Sequence, residues 1–247
     1  MGLHGIITTW ALRFGHVQFL NDATEVQFAV KSLLRLIEPY ILRGLLPFGF
    51  EKIAKTITSG TRNTFIFSLT ETSDVLSHWQ RYGADGRGYA IGFAGNELRA
   101  AVAPHIRLNG IHYTDSDHLA RINSVFEHNE GDKTLSPTRR LEMLKDLVYE
   151  FKNPVFADER EWRLSCSGAL PSTVRGQFIF VPRGDIVKPY LDITPGSAEP
   201  MSHFPIKVVL CGPRLETLAC AATERFMTAH GYDLVDIRRS ALQSVWQ

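Results

Sequence analysis

The segment Phe156–Cys166 reads FADEREWRLSC and decides how the rest of the chain is interpreted. From Glu161 onward, charged or polar residues alternate with apolar ones, which is typical of a β-strand with one buried face. Side chains two residues apart in a strand lie on the same face. If the strand reaches back to Glu159, the side chains of Glu159, Glu161 and Arg163 share one face, opposite an apolar face.

The charged face of this strand has two interpretations. The simpler one is a solvated outer face with a Glu–Arg pair across it, because polar alternation is ordinary on antiparallel sheets. The second is a catalytic carboxylate at the end of a strand, lining a cleft. The strand sequence alone leaves both interpretations open.

Composition limits the classes of protein to consider. The chain has 247 residues, 44% hydrophobic and 21% charged, and we expect a single domain over residues 1–247. A net charge of +1 gives no support for nucleic-acid binding. No apolar stretch approaches the length of a membrane span. The three cysteines are odd in number, lack a close CxxC spacing and fit a reducing cytoplasm.

Predicted helices and strands alternate without a regular βαβ rhythm, so the expected fold class is α+β, with a mixed or antiparallel sheet and flanking helices. An apolar stripe predicts a helix over Val26–Ile41, which Pro39 should kink or end. Apolar runs predict four of the strands, at Thr64–Leu69, Tyr89–Phe93, Gly176–Pro182 and Ile206–Cys211.

Polar residues at two positions are candidates for a site. Asn21 and Asp22 precede the first long helix, where either could cap it with Glu25 as a capping-box partner. Ser68 ends the apolar run FIFSL. Capping explains the first group and an ordinary strand serine explains the second, so neither indicates a site by itself.

Trp79 and Tyr82 lie three residues apart on a predicted helix and can therefore face the same side. They are either core packing or an aromatic wall for a planar ligand. The GADGRG segment at residues 83–88 precedes a strand and is predicted to be a plain turn, because a dinucleotide-binding turn follows a strand and opens a helix. The scattered histidines give no metal-ligand spacing.

Four blocks in order resemble the bacterial domain of unknown function 2971 family: FLNDATE, FIFSLTETSDVLSHWQRYGADGRGYAIGF, FADEREWRL and IKVVLCGP. The resemblance runs from about Phe19 to Ile237. It departs from the family in two places. The usual first strand, with an aromatic residue and a Lys or His, has no counterpart in this sequence, so that strand either lies upstream of Met1 or is absent. The family often ends in Ser…Tyr-Arg, whereas this chain ends SALQSVWQ. The matching positions are Asn21, Asp22, Glu25, Ser68, Trp79, Tyr82, Gly88, Glu159, Glu161 and Arg163.

The family layout is similar to an ADP-ribosyltransferase-like fold with a split sheet, an analogy at the level of fold. The resemblance implies NAD as a substrate, with cleavage of its nicotinamide–ribose bond. Glu161 would then be the main catalytic carboxylate, Glu159 would face the acceptor and Ser68 would support the glutamate. Trp79 or Tyr82 would stack on the nicotinamide.

The resemblance also implies that Asn21, Asp22 and Arg163 order the cleft, where Arg163 pairs with a carboxylate or a pyrophosphate. ADP-ribose would pass to a macromolecular acceptor or to water, in a bacterial toxin or phage-defence setting. Two other functions stay open. One is a catalytically silent module that senses a small ligand, and the other is a metal-dependent hydrolase or nuclease that uses the carboxylates, namely Asp22, Glu25, Glu159 and Glu161.

Overall fold

The computed structural model describes residues 2–20, 24–60, 63–102, 106–127, 136–167, 176–195 and 203–245. The fold class is α+β, as the sequence predicts. The helices are α1 (Leu3–Thr9), α2 (Glu25–Leu42), α3 (Phe50–Gly60), α4 (Leu76–Arg81), α5 (Gly95–Ala101), α6 (Asp115–Glu127), α7 (Pro137–Leu147) and α8 (Ala219–Ala229).

The larger sheet has six strands, in the order β4-β5-β2-β1-β7-β6. Every neighbouring pair in it is antiparallel. Its strands are β1 (Leu12–His16), β2 (Thr64–Thr70), β4 (Arg107–Gly110), β5 (Glu161–Ser167), β6 (Gly176–Arg183) and β7 (Ile186–Ile193). The strand that contains the EREWR motif, β5, therefore lies between β4 and β2.

The smaller sheet has three strands, in the order β3-β8-β9. These are β3 (Tyr89–Phe93), β8 (Ile206–Cys211) and β9 (Asp236–Arg239). The β3–β8 pair is antiparallel and the β8–β9 pair is parallel, so this sheet is mixed.

The larger sheet is covered on both faces. One face packs on the smaller sheet and on α1, α5 and α8, around buried residues such as Phe14, Leu164 and Val209. The other face lies under α2, α3, α6 and α7, with Leu33 and Leu144 in that core. Glu161 and Arg163 point toward this helix-covered face, because Leu164, the next residue after Arg163 in the strand, packs in the core on the opposite face.

The sequence placed most elements correctly, with several differences. Helix α2 does not end at Pro39 but continues to Leu42, where Tyr40 stacks on Phe126 at 4.3 Å between ring centres and holds the last turn. The four strands expected from apolar runs are present, and β7 is an additional strand. No helix in the described part of the chain is long and apolar enough to cross a membrane.

Candidate functional site

Five charged side chains meet on the helix-covered face of the larger sheet, and all five are buried. They are Glu25, Lys152, Glu159, Glu161 and Arg163, which we call the charged cluster. Lys152 is at its centre: its Nζ lies 2.6 Å from Glu159 and 2.8 Å from Glu161, and 3.7 Å from Glu25.

Arg163 joins the other members of the charged cluster. Its Nε donates to Glu161 Oε1 at 2.7 Å and its Nη2 to Glu161 Oε2 at 2.8 Å, a bidentate pair. It also pairs with Glu25, and Nη1 donates to the carbonyl of Tyr149 at 3.3 Å. The interpretation of this strand face as solvated is therefore wrong, because α2 and the segment around Tyr149 cover it.

Glu159 does not lie on strand β5, so strand alternation does not place its side chain on the same face as Glu161 and Arg163. It ends a short 3₁₀ helix, Pro154–Glu159, and Arg160 then adopts a left-handed conformation with φ 43°. Strand β5 starts at the next residue. The reversal at Arg160 still directs both carboxylates to Lys152, so the two glutamates meet by a turn rather than by strand alternation.

Lys152 was not identified from the sequence. Its backbone N–H donates to the carbonyl of His112 at 3.0 Å, and the N–H of His112 donates to the carbonyl of Glu150 at 2.7 Å. This short parallel bridge fixes Lys152 against β4 and beside β5. A single lysine in the run YEFKNP has no spacing or motif that would have marked it.

Glu159 connects the charged cluster to solvent. The Tyr82 hydroxyl donates to Glu159 Oε1 at 2.8 Å, and Arg81 Nη1 lies 3.3 Å from the same oxygen. Tyr82 is 63% exposed. Positive and negative groups therefore alternate from the surface inward, from Arg81 through Glu159, Lys152 and Glu161 to Arg163.

The surrounding charges fix the ionisation of the charged cluster. Burial alone would raise the pKa of Glu161, but Arg163 and Lys152 outweigh it and lower the pKa to about 2. Burial opposes the charge of Lys152 as well, yet Glu161 and Glu25 raise the pKa of its ammonium group. The ring of Tyr82 is largely exposed, but the partial burial of its hydroxyl and then the hydrogen bond to Glu159 raise the pKa of Tyr82 to about 12. Glu161 is thus an anion at neutral pH rather than a proton donor.

A cleft of about 1200 Å³ runs from the charged cluster into the space between the two sheets. Trp162 lies on its wall, and its indole N–H donates to Glu71 at the rim at 3.3 Å. The part of the cleft between the sheets is lined mainly by apolar side chains, among them Phe67, Leu69, Tyr89, Ile91, Leu108 and Leu210. The cleft is large enough for a ligand of nucleotide size and has both an apolar and a charged end.

The predicted site residues Ser68, Trp79 and Tyr82 line the same cleft. Trp79 is buried, and its indole N–H donates to Asp74 at 2.6 Å, so Tyr82 is the aromatic residue open to a ligand. Ser68 lies on β2 directly opposite Arg163. Within the described residues, no hydrogen bond joins Ser68 to Glu161.

The helix start differs from the capping prediction. Helix α2 begins at Glu25, and its N-cap residue is Thr24, which makes no side-chain capping bond. Glu25 pairs with Arg163 instead of closing a capping box. The predicted site residues Asn21 and Asp22 lie outside the described residues.

The arrangement of the cluster bears on the metal-dependent alternative. Three carboxylates converge, but they surround and pair with the ammonium of Lys152 and the guanidinium of Arg163, which occupy the space between them. A search of the residues that the structure describes finds no group of three or more His, Cys, Asp or Glu side chains suited to a metal ion. The donor set is that of an ion-pair network rather than of a cation site.

Comparison with known proteins identifies one related family. No curated protein and no solved structure matches the chain significantly, so the ADP-ribosyltransferase-like fold remains a prediction. Residues 78–164 match the model of a family described as "Protein of unknown function (DUF2971)". The match includes Trp79, Tyr82, Lys152 and both glutamates of the EREWR motif. The resemblance to this family is therefore confirmed over residues 78–164, the segment that supplies four of the five members of the charged cluster.

Proposed function

We propose that the protein binds NAD in the cleft and cleaves its nicotinamide–ribose bond, with transfer of ADP-ribose to a macromolecule or to water. One observation carries the proposal. Two carboxylates from the EREWR motif, Glu159 and Glu161, converge at the wall of a cleft that Ser68, Trp79 and Tyr82 also line. Dispersed carboxylates facing solvent would have argued against it.

The chemistry needs an anion beside the ribose. Cleavage of an N-glycosidic bond develops positive charge on the sugar, as in glycoside hydrolysis, and a fixed carboxylate stabilises that charge. The leaving nicotinamide keeps the electron pair of the broken bond, and the acceptor oxygen or nitrogen bonds to the ribose carbon and loses its proton. The charged cluster contains three carboxylates and two cations, so its formal net charge is −1.

The contacts suggest how the two glutamates divide the work. Both oxygens of Glu161 already accept hydrogen bonds from Arg163 or Lys152. Glu159 lies nearer the mouth, between Lys152 and the exposed Tyr82. We therefore assign Glu159 to the substrate and Glu161 to the placement of Lys152, with Tyr82 as the stacking residue and Arg81 facing the pyrophosphate.

Nicotinamide release from NAD by the purified protein tests this proposal. We expect release by the wild type and a loss of at least about 100-fold for Glu159→Gln. Glu71→Gln is the matched control, because Glu71 is a carboxylate at the rim of the same cleft that pairs with Arg160. Unchanged release in Glu159→Gln, or no release by a folded wild-type protein, would contradict the proposal.

A second function is supported by the internal pairing of the cluster. Because the charges of Glu161 and Arg163 are satisfied within the protein, the cluster could hold the cleft open for a ligand without chemistry. Calorimetric titration with NAD separates the two: saturable binding without nicotinamide release would favour the ligand-sensing module. Release that Glu159→Gln abolishes, with binding retained, would favour the enzyme.

A further inference from the structure

Within the described residues, β6, the outer strand of the larger sheet, pairs with a neighbouring strand on one side only. β6 pairs with β7 along all eight of its residues, from Gly176 to Arg183, on one side only. In the strand order, no described strand follows β6 on its other side. A long edge strand presents a row of free N–H and C=O groups, which soluble proteins usually cover, charge or interrupt.

This edge has large apolar side chains rather than charged ones. Phe178 is 56% exposed and Phe180 is 65% exposed, on the same face of the strand. On that face their β7 partners are Leu191, which is buried, and Pro189. The apolar face of the sheet thus extends from the core to the outer strand β6. On β7, Val187 adds a third exposed apolar side chain to this face, at 56% exposure.

The hairpin turn shows which backbone groups are free. β6 and β7 are joined by the two residues Gly184 and Asp185, with φ 59° at the glycine, so Arg183 and Ile186 form a hydrogen-bonded pair. Hydrogen-bonded pairs recur at every second residue. The odd-numbered residues of β6 therefore bond to β7, and Phe178 and Phe180 direct their N–H and C=O groups outward.

The edge is complementary to itself. If a second copy of β6 runs antiparallel with Ile179 at the centre, Phe178 lies opposite Phe180 of the second copy, and the reverse pair forms by symmetry. Directly opposed residues share a face, so four phenylalanine rings then meet on one side of the joined sheet. Pro182, which has no N–H, falls opposite Gly176 at the end of the shared ladder. No other register forms both Phe–Phe pairs.

We propose that two copies of this chain form a dimer through antiparallel β6–β6 pairing, which joins their larger sheets into one. The occupant of the edge is a second copy because both backbone and side chains match the same strand in reverse. The interface lies at the β6 edge of the larger sheet, and β4 and β5 lie at the opposite edge. It is therefore independent of the charged cluster and of the proposed function.

Mass measurement by light scattering during size exclusion, over a range of protein concentrations, tests the dimer. We expect twice the chain mass of 27.8 kDa for the wild type. Phe180→Glu places a carboxylate opposite each Phe178 and should weaken the dimer by about 30-fold or more. Leu234→Glu is the matched control, because Leu234 is an exposed leucine far from β6 in the sequence and should leave the mass unchanged.

A charge pair tests the register. The double variant Phe178→Lys with Phe180→Glu sets Lys opposite Glu twice in the proposed register and should restore the dimer that the single Phe180→Glu variant loses. Thermal unfolding of each variant shows that it is folded. A monomeric wild type at the highest concentration, a Phe180→Glu dimer as tight as the wild type, or a double variant as weak as the single one would overturn the proposal.

Discussion

Glu150 and Glu161 are two carboxylates with nearly the same burial and opposite pKa shifts. They are 5% and 6% exposed, and each accepts hydrogen bonds from an arginine. The pKa of Glu161 is lowered to about 2, whereas that of Glu150 is raised above its ordinary value of 4.5. Burial favours the neutral form of both, so the difference comes from their partners.

The partners differ in number and in exposure. Glu161 contacts two buried cations, Arg163 and Lys152. Glu150 contacts one cation, Arg121, whose side chain is 37% exposed, and the neutral amide of Asn109. Water screens the exposed cation, so it offsets less of the burial penalty. The comparison teaches that the number and burial of the partner cations, more than the burial of the carboxylate, decide whether the pKa of a buried glutamate is lowered or raised.

The largest expected effect compares the two arginines. Arg163→Ala leaves Glu25 and Glu161 buried without their main cation and should cost about 3–5 kcal/mol in the free energy of unfolding, or prevent folding. Arg121→Ala removes a half-exposed partner and should cost about 1–2 kcal/mol. Urea denaturation measures both. Equal losses for the two variants would show that exposure of the cation does not matter.

Replacing each carboxylate by an amide should also cost more stability at Glu161 than at Glu150, but the difference in the free energy of unfolding should be smaller than that between the two arginine variants. Glu161→Gln keeps the shape but leaves Arg163 and Lys152 facing an amide, which should cost about 3 kcal/mol at pH 7. Glu150→Gln keeps one acceptor oxygen, so it retains the hydrogen bond from either Asn109 or Arg121 and loses the other, which should cost about 1 kcal/mol. Urea denaturation at pH 7 measures both losses. A larger loss for Glu150→Gln than for Glu161→Gln would contradict our comparison.

The stability losses of Glu161→Gln and Glu150→Gln should change with pH in opposite directions. The folded-state pKa of Glu161 is lowered, so its stabilisation is present above about pH 4.5 and is lost as the pH falls toward 2. The folded-state pKa of Glu150 is raised, so its contribution is greatest below pH 4.5 and is lost as the pH rises through the folded-state pKa. The stability gap between wild type and Glu161→Gln should therefore narrow as the pH falls, while the gap for Glu150→Gln should widen. Parallel curves would contradict the assigned directions.

The sequence predicted the positions of strands where hydrophobic residues follow a periodic pattern. Alternation located β5, and apolar runs located β2, β3, β6 and β8, because a strand with a buried face needs such a pattern. It was misleading at Glu161, where polar alternation indicated solvent. A polar face can be buried when counter-charges come from distant segments, and here Glu25 lies 136 residues before Glu161 in the chain.

The site was only partly predictable for the same reason. Glu159, Glu161 and Arg163 belong to one motif, so their proximity could be expected from the sequence. Lys152 reaches them because its backbone bonds to His112, a contact set by tertiary packing and not by spacing. The family resemblance predicted that Trp79 or Tyr82 lines the ligand site. Only the structure shows that Trp79 is buried against Asp74 and that Tyr82 is exposed to solvent.

The smallest expected effect on stability is at the mouth of the cleft, where the comparison extends to a tyrosine. Tyr82→Phe removes one hydrogen bond to Glu159 and should change the free energy of unfolding by less than about 1 kcal/mol. Its signature is spectroscopic. The difference between the phenolate titrations of wild type and variant isolates Tyr82, which should stay protonated past pH 10, because burial and Glu159 raise its pKa to about 12. In a Glu159→Gln background the same difference should move back toward pH 10, since the carboxylate that opposes the phenolate is gone. A Tyr82 titration near 10 in the wild type would mean that its hydroxyl is neither partly buried nor bonded to Glu159, and the contact between Tyr82 and the charged cluster would then be wrong.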